Sequence, residues 1–209
     1  MSDERTTGGT GGDEAAGETA SREPAAFDSD EESTGLSIQV GDQVPSIGLR
    51  ASDGFLLNLR SYVGRSPAAL CFFAAPTAEG AQGRRGTRLA EALVAARARF
   101  TEAGVAVAGI TCDNERQQAE WIAAHDFPYL LFSDERRSAV SVLGIPLSHA
   151  GENHNVERPW ILVVHRDGRL AAVLRDPDPE YAPDVILAAA RRGDLPVPAG
   201  PAAPAPART

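Results

Sequence analysis

The amino-acid sequence predicts an α/β fold, with a central mixed sheet and helices on both of its faces. Continuous apolar runs such as Ala68–Phe73 are typical of strands that are covered on both sides. Segments with apolar residues at three- and four-residue spacing, such as Arg84–Ala103, are typical of helices that bury one face. Because the two kinds of segment alternate along the chain, we expect layers of helix packed on a sheet.

Nine elements are predicted in the body of the chain, residues 37–194. In chain order they are a strand at 68–73, a helix at 84–103 that Gly104 ends, a strand at 105–110, a helix at 115–124, a strand at 129–132, a short helix at 138–143, strands at 160–164 and 169–174, and a helix at 184–192. Asp113 or Asn114 is expected to cap the helix at 115–124, because short polar side chains accept hydrogen bonds from the first helical amides. His165–Gly168 has the composition of a hairpin turn, so the strands beside it are expected to pair.

The two ends of the chain differ from the body in composition. The first 36 of the 209 residues hold ten acidic and two basic residues, so they contain eight of the nine net negative charges. Since this segment has few apolar side chains to bury, we expect 1–36 to be a disordered acidic tail. It is interpreted either as a solubilising extension or as a docking arm for a basic protein partner. Residues 195–209 are rich in Pro and Ala and are expected to form a second disordered tail.

Composition argues against several classes of function. A net charge of −9 does not suit a protein that binds nucleic acid by neutralising phosphates. No apolar run approaches the about 20 residues of a membrane span, and the first residues lack the apolar segment of a secretory signal. We therefore expect a cytoplasmic protein with no membrane partner. The two cysteines, Cys71 and Cys112, lack metal-type spacing, and we expect neither a metal nor a cofactor.

Six short segments of the body occur in an order and at spacings that are typical of one family. They are 40–49 (VGDQVPSIGL), 53–54 (DG), 69–73 (ALCFF), 103–113 (AGVAVAGITCD), 132–134 (FSD) and 158–168 (RPWILVVHRDG). Together they span about 40–174 and resemble the peroxiredoxin family, also called the alkyl hydroperoxide reductase and thiol-specific antioxidant (AhpC/TSA) group. The resemblance implies a thioredoxin-like sandwich with an N-terminal β-hairpin. It also implies thiol-dependent peroxide reduction as the family activity, and a homodimer.

The family's chemistry depends on a cysteine in the first turn of the helix that follows the strand at 69–73. The resemblance places a Pro-x-x-x-Thr-x-x-Cys pattern there, because a helix N-terminus and a nearby arginine stabilise the thiolate that attacks the peroxide. In this chain Pro76 and Thr77 are adjacent, and no cysteine lies between Phe72 and Thr111. The ordinary peroxidatic mechanism is therefore not available to this chain.

The residue that stands at the family's cysteine position is not fixed by counting. Counting forward from the strand places it at Gln82 or Gly83, whereas counting back from the helix end places it at Gly86. We interpret the chain as a degenerate peroxiredoxin that serves as a binding or scaffold module. The alternatives are an antioxidant oxidoreductase that uses Cys112 and a non-thiol small-molecule enzyme in the vacated pocket.

Two residues are candidates for surviving catalysis. Cys112 follows a predicted strand at the edge where α/β proteins bind ligands, although Asp113 is expected to raise its pKa. Cys71 lies within an apolar strand and is expected to be structural. Arg158 resembles the family's arginine but is displaced by one residue, so it could face the pocket or turn away. Pro159, where the family's arginine would fall, could instead be a cis-proline.

Further polar residues surround the predicted pocket. Three arginines near the helix start could bind an anion together with the helix dipole, or form a solvated basic patch: Arg84, Arg85 and Arg88. The loop at 146–157 holds His149, Glu152 and His154, which lack an evident further ligand for a metal. For acid–base chemistry the candidates are Glu79, Arg84 and His154, and the sequence does not rank them.

Overall fold

The computed structural model describes residues 35–74, 80–148 and 155–192. In chain order its elements are β1 (Gly48–Ala51), β2 (Leu56–Asn58), α1 (Leu59–Val63), β3 (Ala68–Phe72), α2 (Ala81–Ala95), α3 (Arg97–Glu102), β4 (Ala106–Thr111), α4 (Glu115–His125), β5 (Leu130–Ser133), α5 (Ser138–Leu143), β6 (Trp160–Val164), β7 (Leu170–Arg175) and α6 (Ala182–Arg192). Among these helices, none is both long and apolar enough to cross a membrane.

The strands form one sheet in the order β2-β1-β5-β4-β3-β6-β7. Strands β3, β4 and β5 run parallel, whereas β6 pairs antiparallel with β3, and β7 with β6. At the other side β1 pairs antiparallel with β5 and with β2. The predicted mixed sheet is thereby confirmed, and β1–β2 is the N-terminal hairpin that the family resemblance implied.

The central strand β3 shows why both faces of the sheet are buried. Leu70 and Phe72 pack into one core cluster with side chains of α1 and α5. Ala69 and Cys71 pack into a second cluster with side chains of α2, α3, α4 and α6. Since side chains alternate across a strand, a strand with a core on each face must be apolar at every position.

The predicted helix at 84–103 is instead two helices and begins earlier. Gly80, with φ of 83°, lets the chain turn directly into α2, three residues before the predicted start. Gly86 is buried within α2, so close packing overrides the low helix propensity of glycine. At Ala96 a φ of −88° and a ψ of 6° end α2. The shorter α3 then buries Phe100 in the same core cluster as α2.

Local signals elsewhere in the sequence are resolved by the structure. Asn114, rather than Asp113, caps α4: its side chain accepts a hydrogen bond from the Gln117 amide at 3.0 Å, and the Gln117 side chain accepts one from the Asn114 amide at 3.0 Å. The hairpin turn between β6 and β7 is confirmed, because the Gly168 amide donates to the His165 carbonyl at 2.9 Å. The interpretation of Pro159 as a cis-proline is wrong, since no peptide bond in the described residues is cis.

Candidate functional site

The candidate site lies where β3, β4 and β5 end and β6 begins. The carboxyl ends of parallel strands meet at one edge of a sheet, and α/β proteins bind ligands there. One wall is the start of α2, and the other is the segment 155–159 that leads into β6. Pro76 and Thr77, predicted to belong to this pocket, lie outside the described residues.

Gln82 occupies the first turn of α2. Its side-chain amide lies 3.4 Å from the Val156 carbonyl oxygen and 3.5 Å from the Glu157 carbonyl oxygen, to which it donates. These contacts join the helix start to the backbone just before Arg158. Of the three candidates for the family's cysteine position, Gln82, Gly83 and Gly86, only Gln82 has a side chain that reaches across the site, and that side chain is a neutral amide.

Gly83 and Gly86 are buried on the side of α2 that faces the sheet. A Cβ atom built on Gly86 would lie 2.0 Å from the Ala74 carbonyl oxygen and 3.3 Å from the Phe73 ring. Gly86 thus permits close approach of α2 to the end of β3, and any larger residue would displace the helix. Of the predicted window, Gln82 and Gly83 lie in the first turn of α2, and Gly86 lies in its second turn.

Two arginines converge on one carboxylate beside the helix start. Arg85 Nη1 lies 3.2 Å from Asp176 Oδ2, and Arg158 Nη1 lies 3.8 Å from the same oxygen. Arg158 Nε also lies 3.9 Å from Glu157 Oε1. The Arg158 side chain is 59% exposed, so it extends along the rim of the site toward Asp176.

The backbone around Asp176 holds this carboxylate in place. Asp176 follows β7 with φ of 42°, in the left-handed region that residues other than glycine rarely adopt. Its amide donates to the Pro159 carbonyl at 2.8 Å, which fixes the turn against the beginning of β6. Strained residues of this kind are often found at functional sites. The other two predicted anion-binding arginines, Arg84 and Arg88, are exposed on α2.

Cys112 lies directly after β4, where the sequence placed it, but it is only 8% exposed. Burial raises the pKa of its thiol to about 12, and the nearby carboxylate of Asp134 acts in the same direction. Asp113 also raises this pKa, whereas Arg137 and the Val156 amide lower it. Because the thiolate is the nucleophile, these surroundings suppress the reactivity of Cys112.

Cys71 is fully buried in β3, and burial raises the pKa of its thiol well above the ordinary range. Both cysteines are free thiols. Cys71 contacts the core cluster that faces α2, whereas Cys112 contacts the cluster on the opposite face. Neither thiol has the exposed, electropositive surroundings of a reactive cysteine.

A buried polar network at this edge of the sheet was not found by the sequence analysis. Gln118 donates from one side-chain nitrogen to Thr111 Oγ1 and to the Phe132 carbonyl oxygen, both at 2.9 Å. Asp134 accepts hydrogen bonds from the amides of Ala139 at 3.0 Å and Val140 at 2.9 Å, at the start of α5. The network therefore joins the ends of β4 and β5 to α4 and α5.

The network also extends toward the second wall of the site. Asn155 Nδ2 lies 3.4 Å from Asp113 Oδ2, and the Ser133 hydroxyl donates to the Asp113 carbonyl at 2.8 Å. Asp113 and Asn155 are each 5% exposed, and buried polar groups of this kind require such partners. The sequence does show a run of polar residues after each of β4 and β5. It does not show which of these residues form hydrogen bonds with one another, because that depends on the fold.

His149, Glu152 and His154, considered as metal ligands, and Glu79, considered for acid–base chemistry, lie outside the described residues. Within residues 35–74, 80–148 and 155–192, no group of three or more His, Cys, Asp or Glu side chains could hold a metal ion.

Comparison with known proteins identifies the family. Residues 40–173 match the sequence profile of the AhpC/TSA family, so the chain belongs to that family. This match coincides with the region of about 40–174 over which the motifs resembled it. No curated protein matches the chain.

Solved structures of peroxiredoxins have the same fold. Peroxidoxin BcpB from Mycobacterium tuberculosis matches with a TM-score of 0.64 and 21% identity, over 74% of this chain and 97% of that one. A mutant of peroxiredoxin Q from Xanthomonas campestris matches with a TM-score of 0.59 and 16% identity, over 75% and 97%. The thiol peroxidase from Chromobacterium violaceum matches with a TM-score of 0.59 and 17% identity, over 76% and 89%. At these identities the likeness concerns the fold alone.

Proposed function

We propose that this AhpC/TSA-family chain has lost the family's thiol-dependent peroxide reduction and acts as a binding or scaffold module. The observation that supports this most strongly is Gln82 in the first turn of α2, with its amide bonded to backbone carbonyls across the site. A carboxamide is far less nucleophilic than a thiolate, and it cannot be oxidised to a sulfenic acid.

The arginines at the helix start agree with this proposal. In a reactive cysteine site, a basic side chain lies close to the sulfur and stabilises the thiolate. Here Arg85 and Arg158 both approach the carboxylate of Asp176. The exposed Arg84 and Arg88 leave a net positive rim, so we propose that the ligand presents an anionic group to this end of α2.

The alternative is an antioxidant oxidoreductase that uses Cys112. That function needs an accessible thiolate, and Cys112 is buried with a pKa raised to about 12. We therefore assign Cys112 a structural role. For the whole protein we propose a cytoplasmic location, a homodimer, and a basic protein partner for the acidic residues of the N-terminal segment.

A peroxidase assay tests the proposal. Purified full-length protein is mixed with hydrogen peroxide or an organic hydroperoxide and a thiol reductant, and peroxide consumption is measured against a protein-free control. We expect no consumption above the control, and no sulfenic-acid labelling of either cysteine by dimedone in mass spectrometry.

The Cys112→Ser variant is the matched control. Under this proposal it behaves as the unsubstituted protein does in both measurements. Peroxide turnover that Cys112→Ser abolishes, or dimedone labelling at Cys112, would instead establish the oxidoreductase.

A further inference from the structure

Asp176 lies where the two arginines of the candidate site converge. One oxygen of its carboxylate, Oδ2, is 3.2 Å from Arg85 Nη1 and 3.8 Å from Arg158 Nη1. Arg85 belongs to α2 and Arg158 to the segment before β6, so the carboxylate connects the two walls of the site. It thus occupies the position at which both guanidinium groups would hold an oxygen of a bound anion.

The backbone at Asp176 is held independently of the Asp176 side chain. Its amide donates to the Pro159 carbonyl oxygen at 2.8 Å, and the guanidinium carbon of the preceding Arg175 lies 5.3 Å from the Trp160 ring centroid. The Asp176 side chain is 31% exposed, so a solute can reach its carboxylate. Displacement of this carboxylate by an anion therefore requires a rotation of the side chain, while the turn stays in place.

The charged side chains that meet at Asp176 cancel one another. Arg85 and Arg158 contribute two positive charges. Asp176 contributes one negative charge, and Glu157, whose Oε1 lies 3.9 Å from Arg158 Nε, contributes another. An anion with a single charge would replace the Asp176 carboxylate by an equal charge and gain little. An anion with two charges is attracted more strongly, because it brings one more negative charge than it displaces.

We propose that Asp176 is an internal counter-ion that a dianionic group of the phosphate-monoester type displaces from Arg85 and Arg158. A phosphate monoester has this charge near neutral pH, since its second pKa is about 6. Asp176 is thereby a specificity-determining residue, which disfavours anions with one charge. This inference rests on the proposed function, which assigns an anionic ligand to this end of α2, and it adds the charge of that ligand and the residue that selects it.

Two probes of the same shape and of different charge test this selection. At about pH 8 methyl phosphate is a dianion, whereas methyl sulfate is a monoanion. Each probe is titrated at constant ionic strength into ¹⁵N-labelled full-length protein, and the assigned backbone amide resonances of residues 82–85 and of Asp176 are followed. We expect methyl phosphate to shift these resonances in a saturable manner. We expect methyl sulfate to bind about fivefold more weakly, because its single charge does not offset the loss of the Asp176 carboxylate.

Asp176→Asn removes the competing charge with little change of shape. Asparagine tolerates the left-handed backbone that Asp176 adopts with φ of 42°, and the amide that donates to Pro159 is retained. We expect methyl sulfate to bind this variant about fivefold more tightly than the unsubstituted protein, since no carboxylate has to leave. Asp167→Asn is the matched control. It removes the same charge at the opposite end of β7, where the carboxylate lies 3.7 Å from Arg169, and should change the affinity by less than about twofold.

Several results would overturn the inference, and they separate it from the proposed function. Equal affinities of the unsubstituted protein for the two probes would overturn the selection by charge and leave the anionic ligand in place. The same holds for methyl sulfate binding that Asp176→Asn leaves unchanged, or that Asp167→Asn strengthens equally. No saturable shift in either the unsubstituted protein or Asp176→Asn would remove the anionic ligand as well. The comparison of the two probes on the unsubstituted protein does not depend on the folding of any variant.

Discussion

Placing a thiol at position 82 tests whether the start of α2 still has the electrostatics of a peroxiredoxin site. Gln82→Cys removes two long hydrogen bonds, at 3.4 and 3.5 Å, from a half-buried side chain. Bonds of that length contribute little, so the variant should lose at most about 1 kcal/mol of stability and remain folded. Its new sulfur lies in the first turn of a helix of 15 residues.

The expected gain in reactivity follows from the helix dipole. A negative charge at a helix N-terminus gains about 0.3–1 kcal/mol, which lowers the pKa of the new thiol and raises its thiolate fraction about two- to fivefold. Arg85 and Arg158 add to this only weakly, because both are about half exposed and approach Asp176. A thiolate of lower pKa is also a weaker nucleophile, so we expect alkylation to be only about 1.3- to threefold faster.

The assay is alkylation by iodoacetamide at pH 7, followed by mass spectrometry. Ala188→Cys, exposed in the middle of α6, provides the reference rate for a thiol without a helix N-terminus. The buried Cys71 and Cys112 give little background. A rate for Gln82→Cys equal to or below that of Ala188→Cys would refute the placement of Gln82 at the mouth of the site.

Three further predictions concern stability. Gly86→Ala should cost about 2–3 kcal/mol in denaturant unfolding, since its Cβ would lie 2.0 Å from the Ala74 carbonyl oxygen; a cost below 0.5 kcal/mol would contradict the close packing of α2. Asn114→Ala should cost about 1 kcal/mol by the same measurement, through loss of the capping box of α4, and an unchanged midpoint would contradict that cap. Stability should fall as pH rises from 9 toward 12, because Cys112 stays protonated in the folded state up to about 12 while its unfolded thiol ionises near 9.0. Cys112→Ala should reduce the slope of stability against pH in that range by about 1.4 kcal/mol per pH unit, and an unchanged slope would contradict the raised pKa of the Cys112 thiol.

The central strands could be predicted from the sequence because burial on both faces leaves a continuous apolar run. This holds for β3, β4 and β6, whose residues are nearly all buried. The hairpin β1–β2 is half exposed and only three or four residues long, so periodicity did not find it and only the family motifs indicated it. Short, half-exposed strands depend on pairing with the rest of the sheet, which composition does not specify.

The helix that forms the candidate site shows the limit of local rules. The helix was predicted to start at Arg84, whereas α2 begins at Ala81. In the fold, Gly86 lets α2 approach Ala74, and this close packing outweighs the low helix propensity of the glycines within α2. That contact joins residues in different elements, so no rule on neighbouring residues could have placed the helix start.

Candidate residues for the site could be selected from the sequence, but the contacts between them could not. Arg158 and the window around Gln82 were selected from their positions relative to the family motifs. Cys112 was selected because it follows a predicted strand, and the other arginines because they lie near a predicted helix start. That Arg85 and Arg158 meet at Asp176 depends on β7 returning beside β6, 91 residues after Arg85. The burial of Cys112 similarly depends on α5 and the segment at 155–156 packing over the end of β4.

Under the proposed loss of the catalytic thiol, the fold need not be weakened, because side chains at the site find partners within the chain. Gln82 donates to backbone carbonyls, and Asp176 approaches both arginines. A site prepared for a thiolate keeps its cations and donors free for the sulfur and the peroxide, and unpaired groups of that kind cost stability. Gln82→Cys would therefore create a thiol at a site whose charges are already partly paired. For this reason we expect its reactivity to rise only about 1.3- to threefold, and a much larger increase would show that the arginines are still available to an anion.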